Sequence, residues 1–96
     1  MKELLVSVII PAYNCAHVIS QAIESALIQN VNSEIIVIND CSTDDLDSVM
    51  ERYTANQSII YVKNESNLGA AKSRNKAVAM ANGKFVAFLD ADDYWA

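Results

Sequence analysis

The chain has 96 residues, of which 52% are apolar and 20% are charged, a balance that fits one small globular domain rather than a disordered or fibrous protein. Its formal net charge is −5, and its seven basic residues are scattered along the sequence. A chain without a basic patch has no means of attracting a nucleic-acid backbone or an anionic membrane surface, so we expect neither as a partner. An acidic protein that binds an anionic ligand usually needs a cation between the two.

The remaining features of the composition indicate an intracellular protein. Cys15 and Cys41 fit no zinc-site spacing and are too few for a disulfide framework, so both are expected to be free thiols in a reducing compartment. No apolar run approaches the roughly 18 residues of a membrane span, so no integral membrane segment is expected. His17, near the start of a predicted helix, is interpreted as a surface residue rather than a catalytic base.

Four short runs rich in β-branched and apolar residues predict four strands. They cover residues 4–10, 34–39, 59–63 and 85–90, and the first run is expected to end at Pro11. The runs are nearly continuous rather than alternating between apolar and polar side chains. Because this pattern is typical of strands that are covered on both faces, we expect a parallel sheet between two helix layers.

Three helices are predicted between these strands. In the first two, apolar side chains recur every three or four residues. They are Ile19, Ala22, Ile23, Ala26 and Leu27 in the first helix, and Leu46, Val49, Met50 and Tyr53 in the second. Side-chain oxygens of Ser42, Thr43 and Asp44 are suited to capping the second helix.

The third helix is predicted over residues 68–81, with Asn67 as its N-cap and Gly83 as a left-handed residue after its end. Gly69 is expected to permit close helix packing. The alanines of this helix also predict close packing; they are Ala70, Ala71, Ala77, Ala79 and Ala81.

The order of the elements, β-α-β-α-β-α-β, is that of a single α/β unit. Crossovers between parallel strands are right-handed almost without exception, so helices on both faces favour the strand order 3-2-1-4. In such sheets ligands bind beyond the carboxyl ends of the strands, at the point where the order reverses, here between strands 1 and 4. Residues 11–14, 40–44 and 90–93 should meet there.

The residues of these loops indicate the kind of ligand. Neither a dinucleotide fingerprint nor a P-loop occurs, so backbone amides of a glycine-rich loop are not available for phosphate. Asp90, Asp92 and Asp93 repel one another unless they share a cation, and Mg²⁺ and Mn²⁺ take oxygen ligands of this kind. Such an ion keeps positions that diphosphate oxygens can fill. Tyr13 could stack on a base, and Asp40 could accept a hydrogen bond from a ring N–H or only cap a turn.

Four segments carry a family resemblance: VIIPAYN at residues 8–14, VINDCSTD at 37–44, NLGAAKSRN at 67–75 and LDADD at 89–93. Together they resemble the inverting, metal-dependent glycosyltransferases of family 2, which have the GT-A fold. The resemblance covers the whole chain, and the four segments in this order are far more specific than any one of them. It implies a three-layer α/β/α fold with a parallel sheet, the Rossmann-like front half of a GT-A fold.

The resemblance also implies which residues bind the nucleotide. The set comprises Pro11, Ala12, Tyr13, Asn14, Asp40, Lys72, Arg74, Asp90 and Ala91. Ala12 and Tyr13 would line the base pocket, and Asp40 would read a ring nitrogen of uracil. Lys72 and Arg74 would lie near the base or the diphosphate.

The segment Asp90-Ala91-Asp92 would be this chain's version of the family's D-x-D motif. The resemblance implies that Asp90 lies near the ribose and that Asp92 is the principal ligand of Mn²⁺ or Mg²⁺. Asp90 and Asp93 are alternative metal ligands.

The chain departs from the family pattern in two ways. Cys41 stands where the family usually has glycine, so the loop after strand 2 is expected to follow a slightly different backbone path. The family enzymes also continue beyond the D-x-D motif into an acceptor-binding half that carries the catalytic base. We therefore expect no catalytic residue in this chain and interpret residues 1–96 as the nucleotide-sugar-binding half of a glycosyltransferase domain, truncated before the acceptor-binding half.

The leading hypothesis is a glycosyltransferase that transfers a sugar from a nucleotide diphosphate sugar, expected to be a UDP-sugar, to a hydroxyl of a carbohydrate or other acceptor. The family resemblance implies a cytoplasmic location, at the membrane face for many members, and the chain alone is expected to be inactive. Two alternatives remain open. One is an inactive fragment that forms a homo-oligomer through strand 4, which is apolar on both faces at the sheet edge. The other is a metal-dependent phosphoryl-transfer enzyme with a strand-end aspartate nucleophile.

Overall fold

The computed structural model describes residues 4–29 and 31–95 of the chain. Its four parallel strands are β1 (Val6–Ala12), β2 (Ser33–Asn39), β3 (Ile59–Lys63) and β4 (Phe85–Phe88). The helices between them are α1 (Ile19–Leu27), α2 (Leu46–Met50) and α3 (Ala70–Met80). The strand order is β3-β2-β1-β4. The α/β class and the order predicted from right-handed crossovers are confirmed.

Two apolar clusters cover opposite faces of the sheet. The larger cluster includes Ile23 of α1 and Met50 of α2 with Ile35 of β2. The smaller cluster includes Ala77 of α3 with Ile36 of β2. Because successive side chains of a strand point to opposite faces, Ile35 and Ile36 place one cluster on each side. The chain therefore has the predicted three layers, with α1 and α2 on one face and α3 on the other.

β1 begins and ends two residues later than predicted and contains Pro11, which was expected to end it. The carbonyl of Ile9 accepts a hydrogen bond from the N–H of Leu89 at 3.0 Å, and the carbonyl of Ala12 accepts one from Asp40 at 2.8 Å. Backbone groups therefore alternate between the β4 side and the β2 side, and residue 11 faces the β4 side. Because β4 ends at Phe88, the missing N–H of Pro11 interrupts no strand pairing.

The helix boundaries differ from the predictions at three points. α2 ends at Met50, and Tyr53 packs into the core from the turn that follows. α3 begins at Ala70 rather than residue 68, and its N-cap is Gly69 rather than Asn67. Close packing by its alanines is correct only in part. Ala77 is fully buried, Ala81 is half-buried, and Ala70, Ala71 and Ala79 are exposed.

The two glycines have roles opposite to those predicted. Gly69 has a φ of 85°, the left-handed region that favours glycine, and a Cβ there would meet no atom within 4 Å. Gly83 instead lies directly against β1, where a Cβ would come within 2.5 Å of the Ser7 nitrogen. Its N–H donates a hydrogen bond to the Ser7 hydroxyl at 2.8 Å. Conformational freedom is required at residue 69, and the absence of a side chain is required at residue 83.

β4 forms an edge of the sheet, as predicted, because it is the terminal strand of the observed order. Phe85, Val86 and Phe88 are all exposed along it. Since Phe85 and Phe88 are an odd number of residues apart, the exposed apolar surface covers both faces of the strand. Among the described residues, no helix has the length and apolar character needed to span a bilayer.

Candidate nucleotide and metal site

A cleft of about 380 Å³ opens at the carboxyl edge of the sheet, between the loops after β1 and β4 and the first turns of α3. Seven of the predicted site residues line it: Pro11, Tyr13, Asn14, Arg74, Asp90, Ala91 and Asp92. Four further lining residues were not predicted: Cys15, His17, Val18 and Ala70. The point where the strand order reverses therefore holds a cleft, as expected for a parallel sheet.

The loop after β1 is tied to the loop after β2 by side-chain hydrogen bonds. Asn14 Oδ1 accepts hydrogen bonds from the N–H of Thr43 at 2.7 Å and from its hydroxyl at 3.2 Å. The N–H of Asn14 donates to the Ser42 hydroxyl at 3.0 Å, and the N–H of Ala16 donates to Asp44 Oδ2 at 3.0 Å. Asn14 has a φ of 49°, which asparagine tolerates better than most residues. Its side-chain oxygen therefore binds the neighbouring loop rather than the open cleft.

Tyr13 and Arg74 are the aromatic and the cationic side chains among the predicted nucleotide contacts that line the cleft. The side chain of Tyr13 is free to stack, since the residue is 53% exposed. Arg74 Nη2 lies 3.9 Å from Asp90 Oδ1, an ion pair at the limit of direct contact. An aromatic ring and a guanidinium on one cleft can contact a base and a phosphate.

Three predicted nucleotide contacts do not line the cleft: Ala12, Asp40 and Lys72. Ala12 is 1% exposed, because the strand continues through it and its carbonyl pairs with Asp40. Lys72 is exposed on α3 but is not among the lining residues, unlike Arg74, which lies two positions further along the same helix. Neither Ala12 nor Lys72 therefore lines this cleft, and their predicted contacts with the nucleotide stay predictions.

Asp40 is 5% exposed and caps the start of α3 from outside the helix. Its Oδ1 accepts hydrogen bonds from the N–H of Leu68 at 2.7 Å and from Asn64 Nδ2 at 3.0 Å, and its Oδ2 accepts one from the N–H of Gly69 at 2.9 Å. Burial raises the pKa of Asp40, but these three hydrogen bonds outweigh it and leave the pKa below the usual value. Asp40 is thus a structural anchor whether or not it also reads a base.

Asn64 is a buried residue of this region that the sequence did not single out. It follows β3 directly, and its amide contacts Asp40, Ser73 and Lys76. Its only sequence signal is a polar residue immediately after a strand, which is also what an ordinary turn residue looks like. The contacts that distinguish it are long-range and become visible only in the folded chain.

The two cysteines are free, as predicted. Cys41 has a φ of 60°, the left-handed region that favours glycine, so the expected change of backbone path is not seen there. Its Sγ donates a hydrogen bond to the carbonyl of Asn64 at 3.2 Å. Burial, followed by the nearby Asp44 carboxylate, raises the pKa of the Cys15 thiol to about 11. The Cys15 thiol that lines the cleft is therefore expected to be neutral at pH 7.

The loop after β4 brings three carboxylates together. One oxygen from each of Asp90, Asp92 and Asp93 lies within 4.8 Å of the others, and all three residues are exposed. A tight turn, closed by a hydrogen bond from the Asp93 N–H to the Asp90 carbonyl at 3.0 Å, produces this convergence. Three oxygens of like charge at this spacing form a donor set that fits a hard divalent cation such as Mg²⁺ or Mn²⁺.

A second, larger cleft of about 720 Å³ lies on the β4 side of this acidic cluster. It shares Arg74 and Asp90 with the first cleft, and Asp93 also lines it. Its other walls are apolar and aromatic, formed by Phe88, Leu89, Tyr94 and Trp95. The acidic cluster therefore lies between two clefts of different character.

Comparison with known proteins shows the family to which the sequence is similar. Residues 7–96 match the sequence profile described as "Glycosyl transferase family 2". An Escherichia coli relative, the UDP-Glc:alpha-D-GlcNAc-diphosphoundecaprenol beta-1,3-glucosyltransferase WfaP, is 48% identical over 95% of this chain and 36% of its own length. The chain spans little more than a third of the length of this relative and of two similar ones.

Two solved structures share the fold. S. aureus TarS 1-349 in complex with UDP-GlcNAc superposes with a TM-score of 0.87 and 36% identity, over 95% of this chain and 27% of that one. The mannosyltransferase PcManGT from Pyrobaculum calidifontis, in complex with GDP-Man and Mn2+, superposes with a TM-score of 0.86 and 28% identity, over 99% and 29%. Because the family profile matches nearly the whole sequence, the chain belongs to glycosyl transferase family 2.

Proposed function

We propose that the carboxyl edge of this sheet binds a nucleotide diphosphate sugar through a divalent cation and supplies the donor site of an inverting glycosyltransferase. The observation that carries the proposal is the convergence of Asp90, Asp92 and Asp93 within 4.8 Å beside a cleft that Tyr13 and Arg74 also line. Nucleotide sugars and Mn2+ in the TarS and PcManGT structures support it.

The cation would be held mainly by Asp92, the ligand that the family resemblance implies, which belongs to the acidic cluster and, like Asp90, lines the smaller cleft. Asp90 or Asp93 would complete the protein ligands. A bound Mn²⁺ or Mg²⁺ would supply positive charge to the diphosphate leaving group. Arg74, between the two clefts, would contribute a second positive group that stays in place when no cation is bound.

The base would lie in the smaller cleft, stacked on Tyr13. A carboxylate offers about four lone-pair positions, and the fold already fills three of those on Asp40. The remaining position, on Oδ2, is able to accept a hydrogen bond from the ring N–H of uracil. Recognition of uracil at this position would favour a UDP-sugar, and it requires the base to reach beyond the smaller cleft, because Asp40 is 5% exposed and is not among the residues that line that cleft.

The acceptor would be a hydroxyl group of a carbohydrate. The WfaP name specifies a sugar linked to diphosphoundecaprenol as the acceptor of that relative, which supports an acceptor of this class. We assign to this chain the donor and cation contacts, and to none of its residues the role of catalytic base. Transfer would therefore require groups beyond those described here.

Calorimetric titration of the chain with UDP, in the presence and absence of Mn²⁺, tests the proposal. We expect binding that depends on Mn²⁺ and weakens by about tenfold to a hundredfold in Asp92→Asn, since a ligand carboxylate is lost. Asp45→Asn, an exposed aspartate on the α2 side, is the matched control and should bind like wild type. Binding without metal, or no binding by a folded sample, would contradict the proposal.

Self-association is a second candidate property, favoured by the exposed apolar edge of β4. Sedimentation velocity should show oligomers of the wild type that decrease in Phe88→Lys. Val78→Lys places the same charge on an exposed valine of α3 and serves as the control. A monomeric wild type at all concentrations would eliminate this candidate.

A further inference from the structure

The side chain of Asn64 uses both of its N–H donors and its carbonyl oxygen within the fold. Nδ2 donates hydrogen bonds to Asp40 Oδ1 and to the Ser73 hydroxyl, both at 3.0 Å. Oδ1 accepts a hydrogen bond from Lys76 Nζ at 2.8 Å. Asn64 is 6% exposed, so water cannot readily replace these partners.

The main chain of Asn64 is attached to β2 and its loop. Its N–H donates to the carbonyl of Asn39 at 2.8 Å, and its carbonyl accepts a hydrogen bond from Cys41 Sγ at 3.2 Å. Asn64 therefore binds β2 through its backbone and α3 through its side chain. These are the two elements whose relative position determines where Asp40 and Arg74 lie.

The contacts of Asn64 with Asp40 and Ser73 connect it to the part of α3 that lines the cleft. Asp40, held by Asn64, accepts the N–H groups of Leu68 and Gly69 just before the helix. Ser73, held by the same amide, is fully buried and immediately precedes Arg74, which lines both clefts. Loss of the amide would release the start of α3 at two points one turn apart.

We infer that Asn64 is a positioning residue of the donor site, which fixes the Asp40 carboxylate and the first turns of α3 so that Arg74 faces Asp90. The consequence for nucleotide binding rests on the function proposed above. Only a short side chain with two N–H donors satisfies Asp40 and Ser73 together. Aspartate has the same shape but would place its charge against Asp40, and glutamine would add a methylene to a filled space.

The test compares Asn64→Asp with Gln57→Glu, the same amide-to-acid change at an exposed position before the other end of β3. Two quantities are measured: hydrogen exchange of the Leu68 and Gly69 amides without ligand, and UDP affinity with saturating Mn²⁺. In Asn64→Asp we expect exchange to accelerate by about tenfold or more, and UDP affinity to fall by a similar factor. Gln57→Glu should change neither quantity.

Two further variants separate positioning from general destabilisation. Lys76→Met keeps the Asn64 amide but removes its cationic partner, and should show a smaller change of the same kind; it decides the question if Asn64→Asp does not fold. In a double-mutant cycle, Asn64→Asp and Asp40→Asn should have strongly non-additive effects on UDP affinity, because Asn64 acts through Asp40. Additive effects would overturn the inference.

The outcomes distinguish this inference from the proposed function. A wild type that binds UDP while Asn64→Asp binds equally well, or while its Leu68 and Gly69 amides exchange at the wild-type rate, would overturn the inference alone. A wild type that binds no UDP would overturn the proposed function, and the exchange rates would still decide whether Asn64 holds the start of α3.

Discussion

The carboxylates that follow β2 and β4 lie at the same edge of the sheet but have opposite surroundings. Asp40, after β2, is buried and accepts three hydrogen bonds from the chain. Asp90, Asp92 and Asp93, after β4, are exposed and lie within 4.8 Å of one another. A carboxylate surrounded by donors stabilises the fold, whereas carboxylates that repel one another gain from a cation. One edge therefore carries an anchor and a proposed set of metal ligands.

The largest expected effect is that of Asp40→Ala on folding stability. The change leaves the Leu68 and Gly69 N–H groups and the Asn64 amide without their acceptor, which should lower the free energy of unfolding by about 3 kcal/mol. Asp93→Ala removes an exposed carboxylate from a group of carboxylates that repel one another. It should change the free energy of unfolding by less than about 0.5 kcal/mol. Urea unfolding measures both, and equal losses would abolish the distinction between anchor and ligand.

Mn²⁺ should stabilise the folded chain through the acidic cluster. A ligand that binds only the native state contributes about 2.7 kcal/mol at a free concentration of about 100 Kd. Scanning calorimetry should therefore show a higher Tm with Mn²⁺, and the double variant Asp92→Asn/Asp93→Asn should lose the increase. An unchanged Mn²⁺ response in that variant would place the cation elsewhere.

The loop after β2 contains a matched pair of neighbouring aspartates. Asp44 accepts hydrogen bonds from the N–H groups of Ala16 and Leu46, whereas Asp45 is the N-cap of α2 but its side chain makes no capping hydrogen bond. Asp44→Ala should lower the free energy of unfolding by about 1–2 kcal/mol, and Asp45→Ala by less than about 0.5 kcal/mol. Equal effects in urea unfolding would show that Asp44 does not join the loops.

The smallest expected effect is the contribution of a single carboxyl group to the pH dependence of folding stability. Since the folded-state pKa of Asp40 is below normal, its stabilisation is present above the usual aspartate value of about 4 and is lost as the pH falls through the folded-state pKa. Asp47, whose pKa is lowered by hydrogen bonds from Tyr61 and Lys63, acts in the same direction. Urea unfolding should show that the free energy of unfolding falls less between pH 7 and pH 3 in Asp40→Asn than in wild type. Identical decreases would show that Asp40 does not contribute to the pH dependence.

Much of the fold is encoded locally and was therefore predictable. Runs of β-branched and apolar residues identified the four strands, apolar periodicity identified α1 and α2, and cap residues indicated α3. The handedness of crossovers gave the sheet order. The acidic cluster was visible because its three carboxylates lie within four consecutive residues, 90–93.

The features that were missed depend on contacts between distant parts of the sequence. The anchor at the start of α3 is Asp40, 28 residues before Leu68, so a local search assigned the cap to Asn67. Gly83 was misread because its close neighbour, Ser7, is 76 residues away. Asn64 was missed because its role is to connect β2 to α3 by hydrogen bonds, and neither local composition nor periodicity indicates such contacts.

The contact of Gly83 with β1 would make the proposed donor site sensitive to a position at the other end of β4. Gly83 precedes β4 and Asp90 follows it, and the two residues are seven positions apart, which is at most about 23 Å of extended chain. Any side chain at residue 83 must displace either the Ser7 backbone or the beginning of β4, because a Cβ would lie 2.5 Å from the Ser7 nitrogen. A displacement at the beginning of β4 would be transmitted along the strand to the acidic cluster that follows it. Substitution of Gly83 is therefore expected to change cation binding at the proposed site, although Gly83 is remote from it.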